Sequence, residues 1–152
     1  TEGLKLKVAA LGGGPLPEDA EKARSKDCRK YVNEKAAEEL LGKSFDVLLT
    51  HCGPEGPLER VGRMGSAEIE AVIISAKPAW NFFAHYTSPI APSSIGKTQC
   101  HWLNDVKFDS GTGCLEASCM GILTIGADGA QSFEVLASDW LKRVVQHSWM
   151  YL

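Results

Sequence analysis

Apolar runs of strand length, separated by helical patterns, dominate the chain as far as residue 103. Phe45–Thr50 and Ala79–Ala84 are nearly continuous apolar runs, which predict strands that are covered on both faces. Leu4–Ala10 alternates apolar residues with lysines, and this period of two predicts a half-exposed strand. Ile95–Leu103 has a mixed pattern that predicts one further strand.

Two helices are predicted between these strands. Asn33 is a capping residue for a helix that runs to Gly42, with an apolar face formed by Ala36, Ala37, Leu40 and Leu41. Ser66 caps a second helix that ends near Lys77, and its inward positions are Ile69, Val72, Ile73 and Ala76. Strands that alternate with helices indicate an α/β fold with parallel strands.

The C-terminal part changes to a β pattern. Ser118–Ile125 and Gln131–Leu136 are joined through an Asp-Gly step, which favours a hairpin. We therefore predict an α/β fold over residues 1–137, with a mixed sheet, flanking helices and a C-terminal hairpin. Residues 138–152 are predicted to form a short helix and an apolar tail that contacts a partner. Pro17–Lys30 is highly charged and predicts a surface loop or a short solvated helix, and His51–Gly65 and Asp105–Ala117 are predicted loops.

Composition narrows the classes of partner. The 152 residues are 44% hydrophobic and 23% charged, as in ordinary globular proteins, and the formal net charge is −3. A basic block or a stripe of aromatic and basic residues is absent from the sequence, which argues against nucleic acid as a partner. Every apolar run is shorter than a membrane span, so an integral membrane protein is not expected.

The cysteines predict a reducing compartment inside the cell. Their number is 5, which is odd, and none of them form a CxxC pair. Small buried hydrophobic residues are the expected role for most of them. An organellar location would follow if a presequence had been removed before Thr1.

Two histidines stand where buried strands are predicted to end. His51 follows the run that ends at Thr50, and His85 follows the run that ends at Ala84. The carboxyl ends of parallel strands lie at one edge of a sheet, where ligands and catalytic groups are commonly presented. Each histidine could instead be a hydrogen-bonded packing residue. Because Cys52 adjoins His51, a third interpretation is a single-metal zinc site formed by these three residues.

Other polar residues are weaker candidates. Gly12–Gly14 lacks the Gly-Lys-Ser/Thr of a phosphate loop and predicts a plain flexible turn. His101, in an alternating strand, is predicted to be a surface or packing residue. The loop after His51 carries several charged side chains that are either solvated or available to contact a phosphate; they are Glu55, Glu59, Arg60 and Arg63.

Several segments, in order, resemble the C-terminal half of the calcineurin-like metallophosphoesterases. Gly3–Gly13 is similar to a family strand of the type GLKIAGLGG, Asp46–His51 to DILLTH, and Lys77–His85 to KPRYHFFGH. Shorter matches are Ile95–Thr98 and the Leu-Asn step at 103–104. The resemblance covers most of the chain, from Gly3 to Leu136, and implies part of the α/β sandwich of that family.

The resemblance also implies a degenerate metal centre. In the family, two divalent metal ions such as Mn, Fe or Zn activate a bridging water that attacks phosphorus. His51 and His85 match ligand positions, but Ala84 and Thr87 replace the Gly and the last His of the family motif Gly-His-x-His. The carboxylate motifs of the family's first half do not occur in this sequence. Both histidines are therefore expected to be vestigial ligands without a bound cofactor.

Two functions follow from this resemblance. The first is a non-catalytic metallophosphoesterase-like module that serves as a structural or accessory subunit of a larger protein assembly. The alternative is a metal-dependent phosphoesterase whose N-terminal half is missing or is supplied by another chain. Half a sandwich would leave a sheet face and strand edges uncovered. Trp80, Trp102, Trp140 and the tail Trp149–Leu152 are either core residues or contacts to a partner that covers those surfaces.

Overall fold

The computed structural model describes residues 5–16 and 30–136. The chain divides into two compact units. The first comprises Thr1–His85 with Ile90–Trp102, and the second comprises Tyr86–Pro89 with Leu103–Leu152. The predicted helix and tail at 138–152 lie outside the described residues.

The first unit contains a mixed sheet with helices between its strands. Its strands are β1 (Val8–Leu11), β2 (Val47–Thr50), β3 (Trp80–Phe83), β4 (Ser93–Ile95) and β5 (Thr98–Trp102). Its helices are α1 (Glu34–Leu40), α2 (Glu55–Glu59) and α3 (Ala67–Ala76). The strand order is β1-β2-β3-β5-β4. Strands β1, β2, β3 and β5 are parallel to one another, and β4 is antiparallel to β5.

Both predicted helix starts are confirmed by their caps. The Asn33 side chain accepts a hydrogen bond from the Ala36 N–H at 3.1 Å, and the Ser66 hydroxyl accepts one from the Ile69 N–H at 3.2 Å. These bonds satisfy N–H groups that a first helical turn leaves without partners. Ile69, Val72 and Ile73 of α3 are buried, as their spacing predicts.

The core of the first unit includes side chains on both faces of the sheet, with Val47, Trp80 and Phe82 buried on the face opposite Leu48. Leu48 of β2 and Cys100 of β5 are fully buried, and so are the inward side chains of α3. On the other face, Leu49 remains 43% exposed. The prediction that β2 is covered on both faces is therefore wrong at Leu49. Leu41, predicted to be on the apolar face of α1, is also exposed at 43%, because α1 ends at Leu40 and Leu41 follows it as the cap.

Two local predictions need correction. The loop after His51 contains a short helix, α2. The segment predicted as one strand, Ile95–Leu103, instead begins at the last residue of β4, crosses a turn and then forms β5. In that hairpin, β4 and β5 are joined by Gly96 and Lys97, and Gly96 has a φ of 58°. A positive φ is readily adopted by glycine, so this residue permits the tight reversal.

Two of the tryptophans that were candidates for partner contacts are buried. Trp80 is 9% exposed and Trp102 is 7% exposed, so both belong to the core rather than to a free surface. Trp140 and the apolar tail lie outside the described residues.

The second unit contains the predicted hairpin. Its strands β6 (Gly121–Ile125) and β7 (Gln131–Val135) are antiparallel, and Gly129 in the connecting turn has a φ of 80°. A small apolar cluster beside it consists of Leu115, Cys119, Phe108 and Met120. The coarse prediction of an α/β fold with a mixed sheet and a C-terminal hairpin is thus confirmed. None of the helices in the described ranges has both the length and the apolar character to cross a bilayer.

Candidate functional site

The loop that carries His51 is anchored directly behind the histidine. Cys52 is fully buried, and the Ser66 N–H donates to the Gly53 carbonyl at 3.0 Å. A Cβ atom on Gly53 would lie 2.8 Å from side-chain atoms of both Leu58 and Phe83. The backbone at this position therefore packs against its neighbours as only glycine can, and this close packing holds the end of β2 in place.

His85 is placed beside His51 by the backbone. The Ala84 N–H donates to the His51 carbonyl at 3.1 Å, which extends the pairing of β2 and β3 beyond their ends. His85 itself has a φ of 71°. The left-handed region is uncommon for residues other than glycine, although histidine is among those enriched there. The turn redirects the chain immediately after β3, and the imidazole lies against the preceding strand end.

The two imidazoles meet at the carboxyl edge of the sheet. Nδ1 of His85 lies 2.8 Å from Nε2 of His51, and the ring centroids are 4.7 Å apart with an interplanar angle of 68°. At this distance one ring donates an N–H and the other accepts it, so the pair requires complementary tautomers. Both residues are exposed. The edge therefore presents two mutually hydrogen-bonded imidazole rings from two neighbouring strands.

A glycine-rich turn borders the pair. Gly14 forms a parallel bridge with Tyr31, and a Cβ atom on Gly14 would be 3.7 Å from Cε1 of His85. The sequence did not predict that this turn lies beside the histidines. The glycines follow β1, which is parallel to β2 and β3 and ends at the same edge of the sheet. A cavity of about 420 Å³ opens beside the turn, and its lining includes Gly12, Gly13, Tyr31 and Asn33.

The ligand set around the pair fits a metal ion only in part. Two imidazole nitrogens are suitable donors for Zn, Mn or Fe, but their separation of 2.8 Å is that of a hydrogen bond and is shorter than the roughly 3.3 Å between neighbouring nitrogens on tetrahedral zinc. Within residues 5–16 and 30–136, however, no third His, Cys, Asp or Glu joins them in a metal-binding group. Carboxylates that would balance the charge of a dication are thus not contributed by the described part of the chain.

Cys52 does not complete a three-ligand site. Its side chain is fully buried, and desolvation raises the pKa of its thiol to about 12. Since a thiolate is the form that binds zinc, such burial opposes a ligand role. The zinc site proposed from His51, Cys52 and His85 is therefore not formed by the described residues.

The other candidates lie elsewhere. His101 lies on β5 against the rings of Trp80 and Phe82, with centroid distances of 5.4 and 6.1 Å, and burial lowers its pKa. Of the two roles predicted for His101, surface or packing, the ring contacts favour packing. In the loop after His51, the side chains of Glu55, Glu59 and Arg63 line a different cavity of about 520 Å³. Thr87, which the resemblance described above aligns with a histidine, is exposed and belongs to the second unit.

Comparison with known proteins adds no identification. No model of a known protein family matches the chain, and no curated protein is significantly similar to it.

Proposed function

We propose that this chain is a non-catalytic metallophosphoesterase-like module that acts as a structural or accessory subunit of a larger assembly. The observation that carries the proposal is the incomplete ligand set at the carboxyl edge. His51 and His85 meet there, but within the described residues no carboxylate or third ligand joins them. Two neutral imidazoles cannot offset the charge of two divalent ions or hold a bridging water between them.

The test is phosphodiester hydrolysis by the purified chain. We expect no turnover of bis-(p-nitrophenyl) phosphate in the presence of added Mn above that of the buffer with Mn. The matched control is His85→Ala, which should give the same background. Metal-dependent turnover by the wild-type chain that His85→Ala abolishes would overturn the proposal.

A second function is favoured by one specific feature of the pair. Both imidazoles lie exposed at the same edge of the sheet with nitrogens 2.8 Å apart, which is where a metal ion held with ligands from outside the described residues would contact them. This arrangement supports a metal-dependent phosphoesterase in which another segment or chain supplies the carboxylates. Elemental analysis of the native assembly separates the two functions: two Mn, Fe or Zn ions for each copy of this chain would favour the phosphoesterase. Metal at trace level, with His51→Ala unchanged in metal content, would favour the accessory subunit.

A further inference from the structure

The outer edge of β1 is the most open surface of the first unit. β1 is the terminal strand of the sheet and pairs only with β2 in the described part of the chain. The Lys7 carbonyl accepts a hydrogen bond from the Val47 N–H at 3.2 Å, so the backbone groups of Lys7 face β2. Because these groups alternate along a strand, those of Val8 and Ala10 face away from the sheet. They form a row of donors and acceptors to which another strand can pair.

The side chains along this edge also alternate in character. Leu6 is 42% exposed and Val8 is 54% exposed, and Leu49 extends this apolar surface on the neighbouring strand. Lys5 and Lys7 occupy the intervening positions and are exposed as well. Side chains at successive positions of a strand point to opposite faces. Over residues 5–8, which include the three residues before β1, one face of this edge is thus apolar and the other is basic.

We propose that the β1 edge binds an extended segment of a partner protein in which apolar residues alternate with Asp or Glu. Main-chain hydrogen bonds to Val8 and Ala10 would supply affinity, as in other strand additions. The apolar residues of the partner would pack beside Leu6 and Val8, and its carboxylates would lie beside Lys5 and Lys7. The inference deepens the accessory role and depends on it for its biological meaning.

Charge distinguishes this partner from a second copy of the chain. Residues 5–11 of a second copy would carry two lysines and no Asp or Glu, so they would offer no opposite charge to Lys5 and Lys7. Like charges across neighbouring strands are unfavourable, and lysines on edge strands are a common protection against self-association. An acidic strand instead converts the same lysines into attractive contacts.

The probe is a fluorescent peptide of about eight residues that alternates Val and Glu, a length typical of strands. Its binding to the full chain is followed by anisotropy, with a peptide alternating Val and Lys as the control. We expect saturable binding of the acidic peptide that weakens with added salt, and no binding of the basic one. The double substitution Lys5→Glu with Lys7→Glu should weaken binding about tenfold.

A pair of substitutions at one position tests the backbone contacts. Val8→Pro removes an N–H that faces away from β2, whereas Val8→Ala removes a similar amount of side chain and keeps the N–H. Circular dichroism and urea unfolding would first establish that both variants fold. Binding of the acidic peptide should be lost in Val8→Pro and retained in Val8→Ala. Equal binding by the two folded variants would overturn the proposal.

Hydrogen exchange gives a readout that does not depend on substitutions. Addition of the acidic peptide should slow exchange at the amides of Val8 and Ala10 and leave that of Ala9 nearly unchanged. Protection of Val8 and Ala10 without peptide, together with a dimer in sedimentation experiments, would assign the edge to a second copy and overturn the proposal. Peptide binding and phosphodiester hydrolysis are separate measurements. If phosphodiester turnover were detected, the accessory role would be rejected, but the peptide-binding result would still show whether the β1 edge binds an acidic strand.

Discussion

His85 adopts a left-handed backbone conformation at the point where its Nδ1 comes within 2.8 Å of Nε2 of His51. The backbone strain and the contact belong to the same turn. Ala84 donates to the His51 carbonyl one residue earlier, and the chain then reverses so that the imidazole meets its partner. A strained residue that presents a polar side chain at a strand end is typical of a functional position.

The cost of this turn can be measured by comparing His85→Gly with His85→Ala. Both substitutions remove the imidazole, so they differ mainly in how readily the backbone reaches a φ of 71°. We expect the glycine variant to be more stable than the alanine variant by about 1 kcal/mol, because a Cβ is disfavoured in the left-handed region. The free energy of unfolding in urea is the measurement. Equal stability of the two variants would show that the position is not strained.

The glycine turn after β1 should respond very unequally to substitution. A Cβ atom on Gly13 would lie 2.3 Å from the backbone carbon of Tyr31, and Gly13 has a φ of 101°. Gly12 has no atom within 4 Å of the corresponding position. Gly13→Ala should therefore lower the free energy of unfolding by about 3 kcal/mol, and Gly12→Ala should leave it within about 0.5 kcal/mol of wild type.

Urea unfolding of the two variants, monitored by tryptophan fluorescence, tests this contrast. A loss that is similar in both would mean that the turn is only a flexible connection, as the sequence pattern by itself suggests. A loss confined to Gly13 would identify a steric requirement that holds the turn beside His85.

Sequence patterns predicted the elements whose signals are local. The caps at Asn33 and Ser66, the Asp-Gly hairpin and the burial of α3 depend on neighbouring residues, and all are present in the structure. Helix α2 was missed because Gly56 and Pro57 have low helix propensity. Both lie in its first turn, where a proline loses no intrahelical hydrogen bond.

The sequence predicted where the candidate site lies in the sheet, but it did not predict the distance between the two histidines. That His51 and His85 share one sheet edge follows from the order of strands and loops. The 2.8 Å separation depends instead on packing between distant segments, such as Gly53 against Phe83 and Gly14 beside His85. A single sequence does not report such long-range contacts, so the tautomeric pair and its glycine border emerged only from the structure.

The buried thiols of Cys52 and Cys100 should react far more slowly than the thiol of Cys114. Desolvation raises the pKa of Cys52 and of Cys100 to about 12, while Cys114 is partly accessible. At pH 8 the thiolate fraction of a group with a pKa near 12 is about 10⁻⁴, roughly a thousandfold below that of an ordinary cysteine. We therefore expect a disulfide reagent such as DTNB to label Cys114 in the native protein and to label Cys52 and Cys100 only after unfolding.

Mapping of the labelled cysteines by mass spectrometry checks the order of reaction. The same pKa shifts predict a pH dependence of stability. In the folded state the pKa of each thiol lies above the value of 9.0 for an unperturbed thiol. The contribution of each buried neutral thiol to the free energy of unfolding is therefore complete below pH 9 and is lost as the pH rises toward 12. Rapid native labelling of Cys52 at pH 8 would contradict both statements.

Asn81, at the centre of the sheet, should discriminate between an apolar and a charged replacement. Its Nδ2 donates to the Leu48 carbonyl and to Oγ1 of Thr50, each at 3.2 Å, and the residue is fully buried. Asn81→Asp replaces that donor with a carboxylate oxygen facing a carbonyl, whereas Asn81→Leu keeps a similar volume without charge. We expect Asp to be less stable than Leu by about 2 kcal/mol at pH 7, because a buried charge without a partner costs more than a lost hydrogen bond. Urea unfolding of both variants provides the comparison, and an aspartate variant as stable as the leucine variant would show that water reaches this position.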